Sequence, residues 1–174
     1  MRALVLAAAS AIAALGCEDE AVITPSAEAF AVAPEIVTGI SVRGPSRRLE
    51  VSRGDPKAPF TYRYTDGKGG ALQTCTESPR LSAALARVMS IPALEAVKKK
   101  DAERALAGVP EGDWVELEVR DSIENVEPLR LRLLPPAAQR PKTYAQVPNG
   151  PYFVTDPKLL EVLGLNCESG GTAR

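Results

Sequence analysis

Period-two alternation dominates the middle of the chain. Leu49 and Val51 are interleaved with Arg48, Glu50 and Ser52, and Phe60, Tyr62 and Tyr64 with Thr61, Arg63 and Thr65. Val115, Leu117 and Val119 alternate with Glu116, Glu118 and Arg120, and Leu129, Leu131 and Leu133 with Arg130 and Arg132. Successive side chains of a strand point to opposite faces, so each stretch predicts a strand with one apolar side. Ile36, Ile40 and Val42 predict an earlier strand running into a turn at Gly44-Pro45-Ser46, and Leu72 to Cys75 a short one. Lys142–Val147 and Tyr152–Thr155 predict a last hairpin around Pro148-Asn149-Gly150, residue types that accept turn geometry. Asp66-Gly67-Lys68-Gly69-Gly70 is a turn sequence tolerant of positive φ.

Helical spacing takes over in three places. Ser78 is placed to cap a helix and Pro79 fits its first position, where a missing N–H costs nothing. Leu81, Ala84, Leu85, Val88 and Met89 then fall on one face, and Pro92 marks a stop. Residues 93–97 fit either periodicity. Asp101–Ala107 predicts a short helix closed by Gly108 and Pro110. Asp156 caps a final helix, with Pro157 first and Leu159, Leu160, Val162 and Leu163 before Gly164. The order predicts one α+β domain over 35–166: an antiparallel sheet of about six to eight strands with two main helices packed on one face. Residues 17–34, acidic and alanine-rich with Pro25 and Pro34, predict a flexible tether, docking near 29–32 being the alternative. The small, polar stretch 167–174 predicts a disordered tail.

The start of the chain bears on location. Arg2 precedes an apolar run from Ala3 to Leu15 broken only by Ser10; Gly16-Cys17 and the acidic Glu18-Asp19-Glu20 follow. A basic start, a short apolar run and small residues at its end predict a secretory signal over 1–16. The run falls short of the about 20 apolar residues that span a bilayer. Ala14-Leu15-Gly16-Cys17 resembles the lipobox of bacterial lipoproteins, with Ala14 and Leu15 in the reverse of the family's usual order. The resemblance implies cleavage before Cys17 and lipidation of its thiol, so that acyl chains such as palmitate hold the protein at the cell membrane or outer membrane, the domain lying in the periplasm or at the cell surface. Cleavage after Gly16 by ordinary signal peptidase fits as well, and would give a soluble secreted domain.

Cysteine number distinguishes the two routes. Export to an oxidising compartment leaves three cysteines, an odd count. With Cys17 lipidated, Cys75 and Cys167 remain as a pair; a disulfide between them would close a loop of roughly 90 residues and stabilise the fold by about 4 kcal/mol on a chain-entropy basis, two free, partly buried thiols being the alternative.

From about residue 38 to 163 the pattern resembles one unit of the uncharacterised bacterial envelope domain called DUF4340. The resembling residues are Ile40-Ser41-Val42, Leu49-Glu50-Val51, the Phe60–Tyr64 strand, the helix ending Leu85–Ile91, the Val115–Val119 and Leu129–Leu133 strands, Tyr144–Val147 and Tyr152–Val154. The tryptophan and proline that members often carry before the first long helix are replaced here by Leu72-Gln73-Thr74-Cys75. The resemblance implies a place beside envelope transport or gliding-motility components and carries no catalytic residue with it.

Chemistry-bearing residues are sparse. The chain has no histidine, the commonest general base and metal ligand. A net charge of -1 gives no electrostatic footprint for nucleic acid. The Gly67–Gly70 stretch lacks the spacing of a phosphate-cradling loop. Glu116 and Glu118 share a strand face opposite Arg130 and Arg132, which favours charged carboxylates and not a general acid. No cysteine spacing is that of a metal site, and neither Cys75 nor Cys167 has a histidine to activate it. No catalytic, cofactor or metal residue is therefore expected. Lys98-Lys99-Lys100 and Trp114 are the candidates for partner contact, the lysines with anionic lipid or an acidic partner; the alternatives are a solvated face for the lysines and packing against a helix edge for Trp114. These features predict a lipid-anchored envelope protein whose domain binds or scaffolds a protein partner, accessory to a transport or motility complex. The other readings are a secreted binding domain and a hydrolase that works without histidine.

Overall fold

In the computed structural model, which describes residues 23–66, 73–76, 78–123 and 126–165, the alternating stretches become strands with their apolar residues on one side. β1 spans Ser26–Ala31, β2 Val37–Arg43, β3 Arg47–Ser52, β4 Thr61–Asp66, β5 Gln73–Thr76, β6 Ser90–Ala93 and β7 Glu95–Val97. β8 spans Val115–Asp121, β9 Leu129–Leu134, β10 Thr143–Gln146 and β11 Tyr152–Thr155. Helix α1 covers Pro79–Met89 and α2 Lys99–Ala105, and 3₁₀ helices cover Glu111–Asp113 and Pro157–Gly164. Nine strands form one antiparallel sheet in the order β5-β4-β3-β2-β8-β9-β10-β11-β7, and β1 pairs with β6 separately. The fold is thus α+β with the sheet dominant. It has more strands than the six to eight expected, because β1, β6 and β7 arise from stretches without clean alternation. The expected leader 1–16, Cys17, the expected turn at 67–70 and the expected tail 167–174 lie outside the described residues.

One face of the large sheet carries the core. Ile40, Val42, Leu49, Val51, Tyr62, Leu117, Val119, Leu131, Leu133, Ala145 and Phe153 are buried in a single cluster with Leu81, Leu85 and Val88 of α1 and Leu159 and Val162 of the last helix. Burying each of the Val, Leu, Ile and Phe side chains among them fully contributes about 1.5–3 kcal/mol. α1 starts as its sequence predicts: Ser78 is extended, and its Oγ accepts from the Leu81 N–H at 3.2 Å. It ends at Met89, before Pro92, because Ser90 turns out of the helix into β6.

The expected tether is structured from its middle onward. Residues 26–31 form β1; Phe30 lies opposite Ile91 and stacks on Phe153 at 5.4 Å with 26° between the rings. The Val32 N–H donates to the Met89 carbonyl at 2.9 Å. Phe30 supplies the apolar surface that the composition of 17–34 as a whole lacks, and its docking offsets the ordering cost.

The last helix is 3₁₀ over eight residues, longer than this geometry usually runs. Leu159, Val162 and Leu165, all buried, are spaced by three, so a helix of three residues per turn sets them in one line against the core. Asp156 caps it by accepting from the Lys158 N–H at 2.9 Å. An ion pair of 2.6 Å between Arg87 and Glu161 ties it to α1.

Candidate functional site

The opposite face of β3, β2, β8 and β9 is polar and faces solvent. Strand order assembles it: β2 sits between β3 and β8, so Ser41 is flanked by Glu50 and Glu118, and Arg43 by Arg48 and Glu116. Across the next ladder Glu116 lies opposite Arg132 and Glu118 opposite Arg130. Glu118 is held from two sides, by Arg120 Nε at 3.2 Å and Arg130 Nε at 3.0 Å. Arg120 lies across β2 at Gly39, where a Cβ would stand 3.4 Å from its Nε. Arg132 pairs with Glu111, and its guanidinium stacks 4.7 Å above the Trp114 ring.

These side chains border a groove of about 300 Å³ lined by Ser41, Arg43, Glu116, Glu118, Arg130, Arg132 and Pro148, with the backs of Leu117 and Leu131 as its floor. Among the described residues, Arg43 and Glu116 make no ion pair. Guanidinium groups present rigid planar forks of donors, suited to carboxylate or phosphate. Among the described residues the groove therefore offers a cation and an anion outside the ion pairs that Arg48, Arg120, Arg130 and Arg132 make around it.

The residues singled out from sequence fall in different places. Glu116 and Glu118 belong to the groove. Trp114 is half-buried at its margin, with the Arg132 guanidinium over its ring. Lys98, Lys99 and Lys100 are exposed at the β7–α2 junction, separated from the groove by β10 and β11. Cys75 is half-buried on β5 and paired in register with Tyr62; Cys17 and Cys167 lie outside the described residues. Among the described residues no three His, Cys, Asp or Glu side chains gather as metal ligands, and no helix is long and apolar enough to cross a membrane. Ser41 and Arg43 were not singled out from sequence. Their parity with Glu116 and Glu118 depends on β2 pairing with β8, which local alternation does not encode.

No family model, curated protein or solved structure matches the chain.

Proposed function

We propose that the protein is exported, held at a membrane by lipid on Cys17, and displays its α+β domain in the cell envelope as a non-catalytic binding or scaffolding module. The observation that carries the binding reading is the two-sided character of the large sheet. One side is sealed by α1 and the last helix; the other presents the Arg43–Glu116 groove, whose ordered guanidinium and carboxylate groups suit a protein surface bearing charges of both signs. A place beside transport or motility components rests on the pattern resemblance to DUF4340 units alone, since no family model matches the chain.

The anchoring part is supported by the leader pattern and by cysteine use. A disulfide between Cys75 and Cys167, of the kind an oxidising compartment permits, would leave Cys17 for lipid. In the native host, site-specific photocrosslinking from position 43 should capture an envelope protein, and charge reversal by Glu116→Arg should abolish the adduct. Capture that is unchanged by Glu116→Arg refutes the groove as the contact surface.

A further inference from the structure

β1 fixes how far the domain can stand from its anchor. Six Cα–Cα steps run from Cys17 to Ile23, whose side chain packs against the core. An extended chain covers about 3.3–3.6 Å per residue, so roughly 20 Å separates them at most. At its start β1 pairs Ser26 with Ala93. The residue after Ala93 is Leu94, a large hydrophobic side chain left 57% exposed. Edge strand β7 follows, and then Lys98, Lys99 and Lys100, all exposed, at the start of α2. β7 is only three residues long, about 10 Å. The point where the anchored chain enters the fold, an exposed leucine and a basic cluster thus share one margin of the molecule.

We infer that this margin rests on an anionic bilayer surface, with Leu94 among the lipid headgroups and Lys98, Lys99 and Lys100 against their phosphates. The inference rests on lipid anchoring at Cys17. Three lysines fall short of the about four to eight that recruit a protein from solution, and Asp101 and Glu103 on α2 subtract from their charge; Glu95 is tied to Lys142. Recruitment is not what the patch has to supply. A covalent anchor within roughly 20 Å makes the contact intramolecular, at high effective concentration, and acyl chains with a basic patch together give stable association. The lysines set orientation, and the groove, set off from this margin by β10 and β11, is left open to a partner.

The test uses the acylated chain purified from membranes and reconstituted into phosphatidylcholine vesicles with or without phosphatidylglycerol. Leu94→Trp is read against the wild-type chain, whose only tryptophan is Trp114. With phosphatidylglycerol present, the added emission should shift to the blue and be quenched by brominated lipid. Charge reversal of all three lysines in the same background should remove that quenching, each lysine lost weakening the docking equilibrium about five-fold. Added emission that stays water-like while the chain still floats with the vesicles overturns the docking and leaves the anchor standing. Quenching indifferent to phosphatidylglycerol refutes the role given to the lysines. A chain that fails to float with neutral vesicles removes anchor and docking together.

Discussion

Phe30→Ala separates a docked β1 from a free tether. The ring stacks on Phe153, which is fully buried, while Phe30 itself is half-buried at the margin of the core. A fully buried Phe→Ala change costs about 3–5 kcal/mol; here only part of the about 1.5–3 kcal/mol of burial applies, together with about 0.5–1.5 kcal/mol for the aromatic pair. The loss is therefore about 2 kcal/mol, a factor of roughly 30 in an opening equilibrium. Native-state hydrogen exchange reads it directly, since the Val32 N–H is bonded to the Met89 carbonyl and β1 to β6. Amides of residues 26–32 should exchange roughly 30-fold faster, while β8 and β9 amides stay protected by the large sheet and shift by no more than the same energy. Unchanged protection in 26–32 would refute the reasoning, and with it the short distance between anchor and domain.

Other perturbations probe single links in the account. Ser78→Ala removes the side-chain cap on the Leu81 N–H and should lower unfolding free energy by about 1 kcal/mol, measured by denaturant titration. Asn149 turns the β10–β11 hairpin at φ 57°, a left-handed conformation that β-branched residues resist; Asn149→Val should cost about 1–2 kcal/mol and lower Tm. A double-mutant cycle on Glu118 and Arg130 should give a coupling of about 0.2–1 kcal/mol, as expected for an exposed pair, and shrink as salt is raised.

Strands and the first helix were legible because their signals are local. Alternation at 49–52 and 115–120 sets which side chains face the core, and Ser78-Pro79 starts α1 at the position observed. The 3₁₀ geometry was not legible. Leu159, Leu160, Val162 and Leu163 satisfy a helix of 3.6 residues per turn as well; only the 159–162–165 line, seen once Leu165 is buried, selects a period of three. Docking near 29–32 was one of two readings, but the strand over 26–31 was not legible, because a segment average over 17–34 hides an aromatic residue whose partner, Phe153, is far off in the sequence. The groove was half legible. Glu116 and Glu118 were visible on one strand face, but Ser41 and Arg43 joined them through the β2–β8 ladder, a long-range pairing without a local sequence signal.

Non-reducing peptide mapping by mass spectrometry, on protein extracted from native membranes, bears most directly on the account. It should find residue 17 as the first residue, carrying acyl chains, and a peptide containing Cys75 linked to one containing Cys167. A Cys17–Cys75 bridge, or an intact Met1 in a soluble fraction, would contradict it, since a thiol already in a disulfide has no sulfur left to hold lipid.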